Sequence, residues 1–410
     1  MKALICGAGI AGLTLAWHLE RAGWEVELVE RAAAFRDGGY MIDFYGPGLE
    51  VADQMGLSPR LRKLGYAIDG LTYVGADGRQ SSRLDMPDSL GAIISLPRGD
   101  LARAILDDVK APIRYGTSVQ TVDQHGSHVT VGLTDGTTHE ADLLVGADGA
   151  HSRVRELVFG DERRFVRYLG HHVAVFLLRN EALNRPIGRR YWALTLPGLS
   201  AGAYALRDGW LATMFLRREP DPALPDDPAA TLRRHFGGLG WLVPEMLADL
   251  PDPREIFYDQ VIQIEMDRWS EGRVVLLGDA CQAVSLFAGH GSSMAMAAAW
   301  VLADELRKGE TLTEEFREDG KALTADALRE SGGALAAYER RMRPTIAHTQ
   351  ALGRRVVEWM APATSRRIGV RDWILRAATL PGLSRLLLNS LTPGTRGLIG
   401  RRPTRLRDLG

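Results

Sequence analysis

Three times along the chain a short apolar run breaks at a turn of small residues and resumes with helical spacing. The first is Lys2-Ala3-Leu4-Ile5-Cys6, which suits a strand buried on both faces. Leu13 to Ala22 follows, with Leu15, Leu19 and Ala22 on one helical face and Gly23 placed for the helix C-terminus. Trp24 to Val29 then alternates as a second strand, closed by Glu30. The second instance runs Asp142-Leu143-Leu144-Val145 into Gly146-Ala147-Asp148-Gly149-Ala150, before a helix whose first turn carries Ser152 and Arg155. The third is Arg273 to Leu277, ended by Gly278-Asp279-Ala280, with a loop from Ser285 to Gly291 and a helix from Ser292 to Leu306. That helix is rich in small residues (Ser293, Ala295, Ala297, Ala298, Ala299), which permit close approach of a flat ring or another backbone.

Between these units the texture changes. Ala32 to Asp43 reads as irregular, Leu49 to Met55 as a helix and Asp69 to Ser81 as a hairpin turning at Asp77-Gly78. Ser95 to Leu101 leads into a helix that runs through Val109. Pro112 to Tyr115, Gln120 to Asp123 and Val129 to Leu133 read as short strands. From Phe165 to Ile264 the chain is β-rich and aromatic, with a linker at Pro220 to Pro228 and a helix expected over Thr231 to Leu250. A block of that size exceeds a loop. The expected organisation is α/β, with α+β character overall: a Rossmann-type nucleotide-binding domain, an inserted antiparallel-sheet substrate domain and a C-terminal helical segment. The nucleotide-binding parts fall at 1–70, 98–164 and 269–345, the substrate domain at 71–97 and 165–268, and the C-terminal segment at 346–410.

The turn after the first strand completes a G-x-G-x-x-G pattern. Gly7 allows the tight turn, Gly9 admits a pyrophosphate and Gly12 lets the helix pack on the sheet. Free N–H groups at the helix start, on Ile10 and Ala11, and the helix dipole favour phosphate. Glu30 stands where an acid accepts hydrogen bonds from a ribose. In this context of strand, turn, helix and second strand, the pattern predicts dinucleotide binding.

Bulk properties exclude more than they assign. Net charge is −1 over 410 residues, so no global field favours nucleic acid. Two cysteines, Cys6 and Cys281, give no disulfide framework or zinc cluster. His171-His172 are neighbours on an expected strand and point to opposite faces, so no metal site is expected. No stretch suits a membrane span, and the fingerprint begins almost at Met1, so a cytoplasmic enzyme without a signal peptide is expected. From Arg366 to Gly410 there are ten arginines and two aspartates (10 − 2 = +8). Together with apolar faces at Trp373 to Leu375, Leu380, Leu383 and Leu386 to Leu388, this suggests a helix docked across the two domains, or an interfacial helix on anionic lipid.

Three units with these motifs in this order resemble the FAD-dependent aromatic hydroxylases, the class A flavoprotein monooxygenases typified by p-hydroxybenzoate hydroxylase. The likeness covers roughly Met1 to Leu306. Gly38-Gly39-Tyr40-Met41-Ile42-Asp43 gives a narrower resemblance to tetracycline-modifying and polyketide-tailoring members. The resemblance implies non-covalent FAD held at Gly7, Gly9 and Gly12, with Glu30 on the ribose, Arg31 beside the adenosine and Val119 against the adenine. It implies Arg98 and Asp279 on the ribityl and pyrophosphate, Asp148 in a supporting DG motif, Gly278 in a GD motif, and Gly289, Gly291 and Ser292 bordering the flavin ring. NADPH or NADH would visit transiently, and O2 would be the oxidant through a flavin hydroperoxide. The substrate would be a bulky aromatic or polycyclic molecule, met by Phe44, Phe176, Met214, Phe215 and Leu286. The protein would be a monomer or homodimer.

The sequence also departs from the family pattern. Cys281-Gln282 follows Ala280, Ser285-Leu286 stands where a proline pair is usual, and Gly289-His290-Gly291 replaces Gly-Gln-Gly. His290 becomes a candidate proton donor beside the ring, or a hydrogen-bonded filler in place of the glutamine. A reductase of the geranylgeranyl-reductase type, or a flavoprotein that binds a ligand without turnover, are the alternative readings.

Overall fold

The computed structural model describes residues 1–35, 40–85, 93–318, 333–378 and 398–399, with side chains excepted at 310–318 and 378. Gly38-Gly39 and the leucines between 380 and 388 lie outside them.

The three strand–turn–helix units meet in one six-stranded sheet. Its order is Ser270–Glu271, Val274–Leu276, Leu143–Gly146, Lys2–Cys6, Glu25–Glu30, Ile113–Tyr115. All neighbours pair in parallel except the first pair. The strands that carry the three motifs are therefore adjacent, and Gly7, Gly146 and Gly278 leave the sheet at the same carboxyl edge. This is where open α/β sheets bind ligands. Helix Gly291–Glu318 packs along helix Ile10–Arg21 and beside helix Ala334–Met360. Ala297, Ala298 and Ala299 are buried in that contact, as their size suggests.

The second region is a seven-stranded sheet in the order Phe257–Ile264, Val166–Arg179, Trp210–Arg218, Leu199–Ala205, Arg190–Leu196, Gly70–Val74, Gln80–Asp85. Side chains alternate across it. Phe176, Leu178, Leu194 and Phe215 pack on one face with helices Pro228–Phe236 and Val243–Ala248. Val173, Val175 and Val261 face the other way, toward Phe287 and Val357. A small sheet (Val119–Gln124, Val129–Leu133, Thr138–Ala141) covers part of the first domain.

Several elements differ from the sequence-based expectation. Thr231 to Leu250 is two helices, because Gly237, Gly238 and Gly240 interrupt it and Trp241 takes φ +59°. The end of the segment expected to be irregular is a strand, Met41–Phe44, paired antiparallel with Ile94–Pro97. Helix Ala334–Met360 runs without a break through the boundary expected at 345/346. Helix Ser365–Ala378 docks on strand Gln80–Asp85, where Ser82 donates to Asp372 at 3.0 Å. Further on, Leu398 and Ile399 are buried against the first domain, and Arg341 donates to the Leu398 carbonyl at 2.7 Å. The described C-terminal residues thus touch both domains.

Candidate active site

The phosphate loop is shaped by contacts that leave no room for side chains. A Cβ on Gly7, at φ +109°, would stand 2.3 Å from the Ala147 carbonyl oxygen. One on Gly12 would stand 2.0 Å from the Gly7 carbonyl oxygen. Gly9 differs: its missing Cβ faces open space, with only the Arg98 guanidinium nearby at 3.9 Å. The first helical bond runs from Leu13 N–H to Gly9 O, so the N–H groups before it are free for a ligand. Glu30 accepts from Ala8 N–H at 3.0 Å and Ala32 N–H at 2.8 Å, bracing the loop from the neighbouring strand. Arg31 is exposed beside it. Val119 is buried.

The DG and GD turns are tied together by one buried arginine. Asp148 accepts from Ser152 Oγ–H at 2.6 Å and from the N–H groups of Arg153 and Val154, capping helix Arg153–Phe159. Burial raises its carboxyl above the usual range, against those bonds. Arg155 is fully buried and donates to the carbonyls of Ala280 and Ala150, both at 2.8 Å, and to Glu162 at 3.0 Å. Asp148 and Arg155 thus form a motif-bracing network rather than a surface ion pair.

Asp279 opens the short helix Asp279–Gln282 and borders the cleft. Poor solvation raises its carboxyl, and the Arg98 charge opposes that rise. Among the described residues neither the Arg98 guanidinium nor the Asp279 carboxylate has a hydrogen-bond or ion-pair partner, although the Arg98 backbone N–H donates to the Tyr40 carbonyl at 2.9 Å. An unpaired cation beside the open side of Gly9 and an unpaired acid across from it fit a group with a phosphate at one end and hydroxyls at the other. Gly278, at φ +63°, could not carry a Cβ without meeting that of Ala11 at 2.8 Å. Gly291, the first residue of helix Gly291–Glu318, has open space where its Cβ would be. These residues fit FAD, which Gly9 and Arg98 would hold at the pyrophosphate, Asp279 at the ribityl chain, and Gly289, Gly291 and Ser292 at the ring.

A cavity of about 1060 Å³ continues from there to the seven-stranded sheet. Its wall includes Tyr40, Asp43, Tyr45, Ala150, Tyr73, Tyr191, Tyr204, Met214, Phe257, Leu286, Phe287, Trp359 and Met360. Of the residues expected to meet substrate, Met214 and Leu286 line it. Phe44, Phe176 and Phe215 are buried elsewhere. Phe176 and Phe215 stack at 5.5 Å on the far face of the sheet, with Phe236 packed edge-on to Phe215. Met214 and Phe215 are consecutive on a strand, so only one of them can face the cavity.

His290 is not in the cavity wall. It is 2% exposed, its Nδ1–H donates to the Ala288 carbonyl, and the Tyr45 hydroxyl lies 3.3 Å from the same nitrogen. Burial lowers its pKa, so the ring is neutral near pH 7, and Nε2 has no partner among the described residues. The imidazole is held within the loop between Gly289 and Gly291 through Nδ1.

Asp43, Tyr191 and Tyr204 were not singled out from the sequence. Ser95 Oγ–H donates to Asp43 at 2.5 Å, and burial raises this carboxyl. Tyr191 and Tyr204 lie 4.6 Å apart, ring to ring. An acid inside the apolar run Met41-Ile42-Asp43-Phe44 was the available signal for the first. The tyrosines carry none that distinguishes them from core aromatics.

Fold and site together define an FAD-dependent monooxygenase of class A. Comparison with known proteins agrees: the chain belongs to the flavin-dependent monooxygenase family. Residues 1–167 match the family described as FAD binding domain. A flavin-dependent monooxygenase from an unknown prokaryotic organism is 30% identical, over 86% of this chain and 88% of its own length. A protein of Mycobacterium tuberculosis named only as uncharacterised is 34% identical over 74% of this chain and 84% of its own. Among solved structures, tetracycline destructase Tet(55) superposes with a TM-score of 0.75 at 27% identity, covering 92% of this chain and 95% of that one.

Proposed function

We propose that this enzyme uses NAD(P)H and O2 to insert one oxygen atom into a bulky aromatic or polycyclic substrate. The observation that supports this reading is a continuous cavity of about 1060 Å³ whose wall runs from Gly289, Gly291 and Ser292 to the seven-stranded sheet. It is at the upper end of ligand-pocket volumes, room for a ring system as well as the edge of a cofactor. Bound FAD would supply the redox chemistry, accepting hydride and activating oxygen. The chain's own part is position, field and dryness. Helix Gly291–Glu318 would direct free N–H groups and its positive end at the ring edge, favouring negative charge there. Met214, Leu286, Phe287 and Trp359 would hold an apolar ring and keep water out. With one nucleotide-binding fold serving FAD, the nicotinamide cofactor would bind only briefly.

The test is coupling. A screened ring substrate is expected to accelerate NADPH oxidation, to lower the hydrogen peroxide yield and to acquire one atom of label from heavy-isotope O2. Label arriving from water, or substrate oxidation that persists under strict anaerobiosis, would replace this reading with a dehydrogenase or reductase.

A further inference from the structure

Helix Ser365–Ala378 has its polarity reversed relative to an ordinary surface helix. Its inward side carries charge. Arg371 is buried, bonded to Asp372 at 2.9 Å and to Thr195 at 3.2 Å, with its guanidinium 3.6 Å over the Tyr73 ring. Asp372 accepts from Ser82, and Arg376 donates to the Ser81 carbonyl at 2.8 Å. Leu375, on the same side, is part of the cavity wall. The outward side carries Arg366, Val370 and Trp373, spaced i, i+4, i+7 and so aligned in one stripe. Val370 is 58% exposed and Trp373 70%, the two most exposed large apolar side chains among the described residues. Docking to the sheet uses neither of them.

We propose that this outer stripe rests on an anionic lipid surface. Trp373 and Val370 would enter the headgroup layer and Arg366 would meet lipid phosphates, the usual division of labour for aromatic and basic side chains at a membrane boundary. Charge supports this partner. The last 45 residues, from Arg366, carry +8, whereas the chain as a whole carries −1, so the first 365 carry −9 (−1 − 8). Helix Ser365–Ala378 itself carries four arginines and one aspartate (4 − 1 = +3), a charge that favours an anionic surface. No described helix is long and apolar enough to cross a bilayer, so the contact is peripheral. It has a consequence for substrate access. The inner face of the lipid-bound helix supplies Leu375 to the cavity, so an apolar polycycle dissolved in the membrane would leave it beside the binding cavity. The lipid contact does not depend on the reaction catalysed, whereas the access route rests on the ring substrate proposed above.

The experiment is co-sedimentation of the full-length, FAD-loaded protein with vesicles of equal parts phosphatidylcholine and phosphatidylglycerol, and with phosphatidylcholine alone. Binding to the anionic vesicles only, weakened by salt, is expected. Trp373→Ala is expected to lower the partition coefficient about tenfold, the weight of one interfacial aromatic side chain. Val370→Asp should lower it further, with FAD content unchanged in both variants because neither side chain is buried. Four results would overturn the proposal. These are no binding to anionic vesicles at low salt, equal binding to neutral ones, binding that Trp373→Ala leaves intact, or a Trp373-dependent dimer by light scattering in place of vesicle binding.

Discussion

The nucleotide-binding cleft and the large cavity beside it meet at Asp279, Gly289 and Gly291, yet they are built by different means. The cleft is made of backbone. Gly7, Gly12 and Gly278 are fixed by contacts of 2.0 to 2.8 Å that a Cβ would make, and Arg98 and Asp279 add charge at two points. The cavity is made largely of side chains drawn from Tyr40 through Leu375. Which face of a strand looks inward decides membership, and helix Ala334–Met360 closes one wall. Damage to the cleft should therefore act on FAD retention. Damage to the cavity should act on turnover, and damage to the opposite face of its sheet on stability alone.

The largest expected effect is at Gly12. Gly12→Val should abolish FAD retention, read as loss of the yellow chromophore after desalting; a variant that stays yellow would show that the loop can open. Next comes Phe215→Ala, a buried ring on the far face of the sheet. It should cost about 3–5 kcal/mol of stability by denaturant titration while leaving the substrate preference of the folded fraction unchanged. A changed preference would mean that the sheet transmits packing to the cavity.

Arg98→Ala and Asp279→Ala should each raise the FAD dissociation constant, by about 1.5–3 kcal/mol, the scale of a hydrogen bond to a charged group. Glu30→Ala belongs to the same range and also strands the Ala8 N–H that it now holds. An unchanged constant for any of the three would remove that residue from the cleft. Met214→Ala should leave FAD affinity in place and lower kcat/KM for a ring substrate by about tenfold, near the low end for one apolar contact. A loss of FAD instead would merge the two regions that the geometry separates.

The smallest effect concerns the junction between them. His151 lies 2.8 Å from Glu162 and 3.7 Å from Asp259 of the seven-stranded sheet. The bonds to those carboxylates, Asp259 first, lift its pKa from 6.5 to about 9 against partial burial. A histidine raised in the folded state stabilises fully below its unfolded pKa of 6.5 and loses that contribution as pH rises through about 9. The side chain is half exposed, so solvent screening keeps the effect small. The Tm difference between the native protein and His151→Gln should be widest below pH 6.5 and close above pH 9. A gap that is flat with pH would mean that packing, not charge, joins the domains here.

The sequence by itself determined the cleft. Tight turns need glycine at φ values other residues avoid, phosphate needs free N–H groups at a helix start, and a buried parallel strand needs an unbroken apolar run. These requirements are local, so Lys2 to Glu30, Asp142 to Arg155 and Arg273 to Leu306 each displayed them within a short window. A common exit edge for the three motifs follows once their strands are parallel, but that the strands are neighbours was decided by the sheet order. The cavity was decided only in three dimensions. Phe215 and Met214 are equally apolar neighbours, and nothing local states that one packs on Phe176 while the other faces the cavity. The loop position of His290 suggested proton transfer, and only the Ala288 carbonyl and Tyr45 show that its Nδ1 is engaged within the loop. Asp43 gained its place from Ser95, fifty-two positions away in the chain (95 − 43 = 52), across a strand pair that the irregular segment concealed. Backbone geometry is written in the residues that adopt it, whereas the orientation of a side chain depends on what the remote parts of the chain place against it.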